Sequence, residues 1–523
     1  MDNDTIAALL DEYAALLELA GAGHYTHRAY GRAAELIRST PAPVDDLVRA
    51  GRVRELRGVG PSIEARLREL VETGTIAELE ELERTVSPEL AAFGRLLGIG
   101  AERAVAIGRA LGIRTAEELR AAAAEGRLLE VPGIGPKTEV RIRSALERPA
   151  AEPARPVLLH RARALVEGIA AQLDGVAAGD PRRWKDACTW LAVAAREGDL
   201  AGLREIVAVI GPNVGVTLEG IPVELHLAPP ETFGTALVRA TGSPEFVAAL
   251  EPLPDAPDEE GVFAALGLPF VPPELREGEP PRSVPSLVEV AQIRGDLHVH
   301  TTWSDGKATV LAMGEAARAR GYEYLAICDH TPNVTVVPGL DADALRRQAE
   351  EIAAANEVLA PFRILRGAEC DIRRDGALDL PDDVLAELEW VQLSLHAGQR
   401  AERRQLTARV VDAMRHPAVR CLSHPKGRLI GHRPENALDL EHVFEVALET
   451  GVALEVNGLP NRLDLSGEHV REALAAGVRI VCSTDAHSVG GLGNMPFSVH
   501  TARRGGATAG DVLNTRGLGA IPV

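Results

Sequence analysis

The feature that most restricts the fold is an apolar run of strand length that recurs through the second half of the chain and ends each time in a polar residue. The seven runs are Gly295–Gly306 (GDLHVHTTWSDG), Tyr324–His330, Ile364–Glu369, Trp390–His396, Arg420–His424, Val452–Asn457 and Arg479–His487. Nearly continuous apolar strands of this kind are typical of a parallel sheet buried on both faces. Because helix-like stretches separate the runs, the pattern predicts a barrel of β/α units whose strand C-termini meet at one mouth.

Most of these runs end in side chains that can bind a metal ion. His298 and His300 lie two residues apart, so on a strand they point to the same face, and Asp305 follows in the adjoining turn. A single His-x-His is more often a pair of core histidines with satisfied hydrogen bonds. The repetition at successive strand ends argues for a metal site instead. The candidate ligands are His298, His300, Asp305, His330, Glu369, His396, His424, Asp485 and His487.

This motif set resembles the PHP (polymerase and histidinol phosphatase) domain, a metal-dependent phosphoesterase built as a distorted seven-stranded β/α barrel. The resemblance extends from about Pro285 to Val523. It implies three divalent ions, Mn²⁺, Zn²⁺ or Fe²⁺, which suit mixed imidazole and carboxylate ligation. His298, His300, Glu369 and Asp485 would hold the first ion, Glu369, His396 and His424 the second, and Asp305, His330 and His487 the third.

Three basic residues near the predicted mouth are candidates to contact a phosphate during catalysis. They are Lys426 and Arg428 in HPKGR and Arg462 in NRLDL. Cations in that place can stabilise phosphate oxygens as charge develops. Each is equally compatible with a solvated surface position.

The N-terminal third has helical periodicity and contains three short turns of the form apolar-x-Gly-apolar-Gly. The turns are Leu56–Ser62, Leu96–Glu102 and Val131–Lys137. Glycines allow positive φ and a close backbone approach, and the following helix begins with unpaired amide hydrogens that can bind a phosphate. The turns resemble helix-hairpin-helix motifs, which bind the DNA backbone without reading sequence, often through a monovalent cation. Some copies could serve only as helix corners.

The candidate DNA-binding residues are Gly58, Gly60, Gly98, Gly100, Gly133, Gly135 and Lys137, together with Arg28 and Arg32 of the first segment. That segment resembles the small domain of family X DNA polymerases that holds a 5′ phosphate at a gap. In some relatives the domain also removes a sugar phosphate through a lysine Schiff base. No lysine precedes Lys137 in this chain, so that chemistry has no nucleophile there.

The whole chain therefore resembles a bacterial family X DNA polymerase with a C-terminal PHP domain, but the polymerase palm is degenerate. Against the family pattern the segment Ala178–Ala194 keeps Gly179, Arg182 and Arg183, has Asp180 at the serine position, and has Trp190 and Ala192 at the two aspartate positions. Glu224 is left as the third carboxylate. Because neither an indole nor a methyl group binds Mg²⁺, we expect a palm fold without nucleotidyl transfer.

These assignments predict a multidomain chain with an all-α N-terminal region, an α+β palm-like region and a barrel. The expected boundaries are 1–80 for an end-binding domain with the first hairpin, 81–150 for further hairpins, 151–261 for the palm-like domain, 262–286 for a linker and 287–523 for the PHP domain.

Composition limits the partners and the compartment. The net charge of −20 argues against bulk attraction to nucleic acid, so DNA contacts must be local. The five cysteines are far apart, without C-x-x-C pairs, and read as reduced core residues. No basic leader or long apolar stretch occurs, so we expect a cytoplasmic protein without membrane contact. The sequence leaves the oligomeric state open, and a monomer is favoured.

The favoured function is a metal-dependent 3′–5′ exonuclease or 3′-end phosphoesterase that acts on gaps or 3′ ends of DNA in repair. A small-molecule phosphatase of the histidinol phosphatase type is the first alternative. A non-catalytic DNA-binding scaffold and a working, gap-filling polymerase are the others.

Overall fold

A computed structural model provides the fold and describes every residue except 2, 21–23, 39, 41, 42, 57, 147–155, 335, 336 and 523. The chain forms two compact units. The first comprises Met1–Val157, Ala164–Ala177 and Thr189–Ala228, and the second comprises Leu158–Arg163, Ala178–Cys188 and Pro229–Val523. The predicted boundary at 150–151 lies outside the described residues.

The first part of the chain is helical, as predicted. Its helices are α1 Asn3–Leu19, α2 His24–Arg38, α3 Val44–Arg49, α4 Pro61–Thr73, α5 Ala77–Thr85, α6 Pro88–Leu96, α7 Ala101–Leu111, α8 Ala116–Ala124 and α9 Pro136–Leu146. Of the three glycine turns, the middle one joins α6 directly to α7. The other two follow short 3-10 turns, Val53–Glu55 and Arg127–Glu130, before α4 and α9 begin.

The middle of the chain mixes short strands and helices, as expected for an α+β region. In order these are β1 Val157–Leu158, α10 Leu159–Gln172, β2 Val176–Gly179, β3 Ala187–Cys188, β4 Leu191–Ala195, β5 Ile206–Gly211, β6 Val214–Thr217, β7 Pro222–Leu227, α11 Phe233–Thr241, α12 Pro244–Leu250 and α13 Glu259–Ala265. Within the first unit, β4 pairs in parallel with β7, and β7, β6 and β5 continue as antiparallel neighbours.

All seven predicted apolar runs form strands of one parallel sheet. The elements are β8 Gly295–Val299, α14 Val310–Ala319, β9 Tyr324–Ile327, α15 Ala342–Leu359, β10 Arg363–Asp371, α16 Asp382–Leu385, β11 Trp390–Ser394, α17 Arg403–Met414, β12 Val419–Leu422, α18 Leu440–Thr450, β13 Ala453–Asn457, α19 Gly467–Ala476, β14 Ile480–Ser483 and α20 Met495–Arg504. The strands follow one another in chain order. A parallel bridge between Val299 and Ala486 brings the two edge strands together and nearly closes the barrel.

The segment predicted as a linker is fastened to the barrel. Glu274 and Arg276 are buried, and Glu274 accepts hydrogen bonds from Arg503 (2.7 Å) and His500 (2.6 Å) of α20. All five cysteines are buried free thiols. Among the described helices, none combines the length and the apolar character needed to cross a bilayer.

Candidate metal centre

The carboxyl ends of the barrel strands bring the nine predicted ligands to one mouth. His298 lies in β8 and Glu369 in β10, and the other ligands follow the ends of their strands within a few residues. Eight of them form three overlapping groups, in which His300 and His330 each belong to two, and His424 joins them through a contact with Glu369. Because parallel strands place their C-termini at the same edge, side chains distant in sequence meet here.

The first group centres on His298 and His300. Their Nε2 atoms lie 3.2 Å apart, and Asp485 Oδ1 lies 3.1 Å from His300 Nε2 and 3.8 Å from His298 Nε2. On another side, Glu369 Oε2 lies 3.6 Å and 3.7 Å from the same two nitrogens. Two imidazole nitrogens that each lie about 2.1 Å from a shared ion are about 3.0–3.5 Å apart. The spacing therefore fits two ligands of one ion.

The second group surrounds Glu369, whose carboxylate is almost fully buried. Its Oε1 lies 2.9 Å from His424 Nε2 and 3.5 Å from His396 Nε2, while its Oε2 lies 2.8 Å from His330 Nδ1. Glu369 thus touches both this group and the first one, as a bridging carboxylate would. His330, which the sequence analysis assigned to the third ion, also belongs to this group.

The third group is built around Asp305 in the loop after β8. Asp305 Oδ2 lies 3.3 Å from His487 Nε2, and its Oδ1 lies 3.7 Å from His330 Nε2. His300 completes this group, with its Nδ1 3.9 Å from Asp305 Oδ1. This His300 contact is an addition to the expected set of three.

The donor atoms fit cations because several have no other partner. Among the described residues, none offers a hydrogen bond to the buried Nδ1 atoms of His300, His396 and His424. A buried polar atom without a partner costs about 1–3 kcal/mol, and a bound ion removes that cost. Imidazole and carboxylate donors together suit Mn²⁺, Zn²⁺ or Fe²⁺.

The backbone at two ligands is strained. His424 has φ +24° and Asp485 has φ +53°, a left-handed region that side chains other than glycine rarely adopt. Such residues cost about 1–3 kcal/mol each and concentrate at functional sites, where the surrounding structure holds them in place.

Glu455 in β13 is a site residue that the sequence analysis did not identify. It is completely buried, and its Oε1 accepts a 2.6 Å hydrogen bond from His298 Nδ1. Its Oε2 accepts from the backbone N–H of His424 at 2.6 Å. A carboxylate that holds the other ring nitrogen of a ligand fixes the ring and its tautomer. A glutamate inside the otherwise apolar Val452–Asn457 run was the available signal.

Further buried carboxylates support neighbouring strand ends. Asp329 accepts hydrogen bonds from the side chains of Thr301 and Gln348, both at 2.6 Å. Asp371 accepts from the backbone N–H of His396 at 2.8 Å. These contacts fix the backbone from which the ligands project.

The carboxylates control the charges of the histidines. Burial alone would lower the pKa of His298, but Glu455, Asp485 and Glu369 raise it well above its usual value. Burial and the nearby charge of His487 lower the pKa of His300 to about 3. Burial opposes a charge on His487 as well, yet Asp305 and Asp485 raise its pKa to about 9. The carboxylates therefore favour the charged forms of His298 and His487 but not that of His300.

The three predicted phosphate contacts occupy different environments. Lys426 Nζ donates to Leu438 O at 3.1 Å, and Arg428 binds Asp186 and loop carbonyls. Arg462 Nε lies 3.8 Å from Asp485 Oδ2 and has no hydrogen-bond partner among the residues that the structure describes. Arg462 is therefore the one of the three placed beside the ligand groups.

The predicted DNA-binding turns each bury the apolar residue between their two glycines. Their middle apolar residues, Val59, Ile99 and Ile134, are buried. Gly58, Gly98, Gly100 and Gly133 have φ between +69° and +112°, whereas Gly60 caps α4 with φ −85° and Gly135 directly precedes α9. Lys137 in α9 and Arg28 and Arg32 in α2 are exposed. A cavity of about 440 Å³ is lined by residues that include His27, Arg28 and Arg32.

Two of the predicted palm positions, Ala192 and Glu224, lie on neighbouring strands of the first unit. Ala192 in β4 lies opposite Glu224 in β7. The hydrogen bond from His226 is the main reason that the pKa of Glu224 lies below its usual value, and a hydrogen bond from Trp190 also lowers it. His226 Nε2 lies 3.2 Å from Glu224 Oε2.

Known proteins resemble this chain over its whole length and over the barrel alone. Residues 1–76 match a family described as "Helix-hairpin-helix domain", residues 92–148 match "SAM-like Helix-hairpin-helix tandem", and residues 296–456 match "PHP domain". A Bacillus subtilis (strain 168) protein named "DNA polymerase/3'-5' exonuclease PolX" is 32% identical over 565 aligned positions, covering 99% of this chain and 98% of that protein. An Acetivibrio thermocellus protein named "Probable phosphatase" is 32% identical over 201 positions, covering 37% of this chain and 78% of that protein.

Proposed function

The chain belongs to the PolX family, the bacterial family X DNA polymerases with a PHP domain, and from this membership we propose that it is a metal-dependent 3′–5′ exonuclease or 3′-end phosphoesterase acting on DNA. The observation that carries the proposal is the convergence of nine imidazole and carboxylate side chains at the barrel mouth, eight in overlapping groups and His424 in contact with Glu369. The helix-hairpin-helix regions indicate DNA binding. We place its role in the repair of gaps and 3′ ends, in the cytoplasm and as a monomer.

The proposed cofactors are three divalent ions, Mn²⁺, Zn²⁺ or Fe²⁺. His298, His300, Glu369 and Asp485 would hold the first, Glu369 with His396 and His424 the second, and Asp305 with His330 and His487 the third. When bound, such ions lower the pKa of water toward 7 and neutralise charge on a phosphate. We further propose that a monovalent cation can bind at one of the glycine turns.

The protein's own residues hold and orient the reacting groups. Glu455 holds His298 in one tautomer, because the carboxylate accepts the proton of Nδ1 and leaves Nε2 free to act as a ligand. Arg462, whose Nε lies 3.8 Å from Asp485 Oδ2 and has no hydrogen-bond partner among the described residues, is the proposed contact for a phosphate oxygen. Lys426 and Arg428 are further proposed phosphate contacts because of their charge. In the structure Lys426 Nζ donates to Leu438 O, and Arg428 holds the backbone of the Arg462 loop.

We propose that nucleotidyl transfer has been lost. Trp190 and Ala192 stand where two aspartates would hold Mg²⁺, and Ala192 is the residue paired with Glu224. A single carboxylate that is already hydrogen-bonded to His226 cannot hold two ions.

The retained arginines are also engaged. Within the second unit, Arg182 forms a two-point hydrogen bond to Glu259, with both contacts at 2.7 Å. Arg183 binds Asp180 and, at 2.9 Å, Glu277. Guanidinium groups paired with carboxylates in this way have few donors left to bind the phosphates of a nucleoside triphosphate, which supports the proposed loss.

A second candidate is a small-molecule phosphatase. It is favoured by the relatives named as probable phosphatases, which align with little more than a third of this chain. In that case the helix-hairpin-helix regions would not contribute to substrate choice.

The deciding experiment uses 5′-labelled duplex DNA with a recessed or gapped 3′ end, incubated with Mn²⁺ in the presence and absence of deoxynucleotides. Shortening in both conditions supports the exonuclease, and extension with nucleotides would refute the loss of polymerase activity. Hydrolysis of histidinol phosphate without any trimming of DNA would favour the second candidate.

A further inference from the structure

We propose that Asp186, in the segment that resembles the polymerase palm, is a positioning residue for the phosphoesterase site. It acts through Arg428 on the loop that carries Arg462 to the ligand groups. This inference rests on the proposed function, since it assigns the degenerate palm segment a task in that same reaction.

Asp186 forms an ion pair with Arg428 inside the second unit. Its Oδ2 accepts from Arg428 Nη2 at 2.6 Å, and the side chains are only 20% and 14% exposed. Glu435 lies 3.9 Å from the Arg428 guanidinium group and is 36% exposed, and Asp464 accepts from the backbone N–H of Arg428. Asp186 is therefore the carboxylate that sets the orientation of this guanidinium group.

Arg428 in turn holds the loop that follows β13. Its Nε donates to Arg462 O at 2.8 Å, and its Nη2 also donates to Leu463 O. Leu463 has φ +44°, so this loop needs external contacts to keep its shape. The side chain of Arg462 leaves this anchored backbone and reaches within 3.8 Å of Asp485.

The segment that presents Asp186 is itself firmly held. The Trp184 indole stacks on His500 with ring centroids 3.8 Å apart and planes within 2° of parallel, and Arg163 covers the indole at 3.9 Å. Arg504 donates to Trp184 O at 3.1 Å and lies 3.4 Å from Asp186 Oδ1. Asp186 is therefore a fixed acceptor for Arg428, as a positioning role requires.

Loss of the Asp186 charge should let Arg428 reorient and the Arg462 backbone shift. Because small displacements of a group that contacts the reacting phosphate can reduce the rate about ten- to a hundredfold, we expect Asp186→Asn to lower kcat by about tenfold. KM for DNA should change little, since the DNA-binding turns are untouched. Asp186→Glu keeps the charge and should restore a large part of kcat.

The test measures kcat and KM of the full-length protein with Mn²⁺ on DNA with a recessed 3′ end. It compares wild type, Asp186→Asn, Arg462→Gln and the double variant. Because Asp186 acts through Arg462, Asp186→Asn should have no further effect on kcat once Arg462 is glutamine. Arg428→Lys keeps a charge but loses the fork of donors, and provides the same test if Asp186→Asn does not fold. Glu277→Gln, which breaks the Arg183 pair of the same segment, is the matched control and should retain wild-type kcat.

An unchanged kcat in Asp186→Asn, or an equal reduction in the wild-type and Arg462→Gln backgrounds, would overturn the positioning role. A wild-type protein that trims no DNA would instead overturn the proposed function, so the two failures are distinguishable.

Discussion

Replacing Glu455 by glutamine tests whether a buried carboxylate outside the ligand set controls the metal centre. Oε1 of Glu455 accepts from His298 Nδ1 at 2.6 Å and from Gln392 at 3.1 Å. Oε2 accepts from Ser423 at 3.0 Å and from the backbone N–H of His424 at 2.6 Å. Both oxygens face donors only, so the NH₂ group of a glutamine must face at least two of them.

The expected loss follows from these contacts. Removing the carboxylate partner of a ligand histidine typically lowers metal affinity or activity about 10–100-fold, which corresponds to about 1.4–2.8 kcal/mol. Donors left facing the amide add about 1–3 kcal/mol of lost stability. We therefore expect Glu455→Gln to bind Mn²⁺ at least about tenfold more weakly than wild type and to unfold at a lower temperature.

Mn²⁺ affinity is measured by titration of the metal-free protein, and stability by thermal unfolding with excess chelator. Glu274→Gln is the matched control, because Glu274 is also a buried carboxylate and accepts hydrogen bonds from His500 at 2.6 Å and Arg503 at 2.7 Å, neither of which is a proposed ligand. It should lose stability while keeping most of its metal affinity. A Glu455→Gln variant that binds Mn²⁺ within about twofold of wild type, or a control that loses as much affinity, would refute the reasoning.

Three further predictions follow from the same structure. Burial would raise the pKa of Glu259, but Arg182 and Arg276 hold it at about 2, below the usual 4.5. The stability that the ionised carboxylate contributes is therefore complete above about pH 4.5 and is lost as the pH falls toward 2. Glu259→Gln should reduce the free energy of unfolding, measured with urea, by about 3 kcal/mol at pH 7 and by little at pH 2. Lys137→Gln should weaken binding of gapped duplex and reduce the slope of log K against log salt by about 0.9, and an unchanged slope would exclude Lys137 as a phosphate contact. With Mg²⁺ or Mn²⁺ and all four deoxynucleotides, the protein should incorporate no labelled nucleotide into a gapped primer, and any extension would show that Trp190 and Ala192 do not abolish transfer.

The barrel was predictable because its signal repeats. Each apolar run gave a strand within one or two residues of its predicted start, and side chains at strand ends, such as His330 and His424, followed from parallel topology alone. The glycine turns were predictable for a similar reason, since the first glycine of each turn, Gly58, Gly98 and Gly133, adopts a positive φ.

The remaining site contacts depend on tertiary structure. Glu455 lies 157 residues from His298, and no local pattern links the two. Arg428 and Arg462 have the same charge, and each lies in a loop that follows a barrel strand, β12 for Arg428 and β13 for Arg462. Arg428 is nevertheless held by Asp186, whereas Arg462 lies beside Asp485. Charge and spacing therefore located the mouth, but the direction of each long side chain required the fold.

The central claim is that His298 and His300 hold a metal ion on which phosphate ester cleavage depends. The most direct measurement is the rate at which a recessed 3′ end is shortened in Mn²⁺ by wild type and by the His298→Ala, His300→Ala double variant, with bound metal determined in the same preparations. We expect wild type to trim the DNA and the double variant to lose metal and at least about a hundredfold of the rate. An unchanged rate in the double variant would contradict this claim.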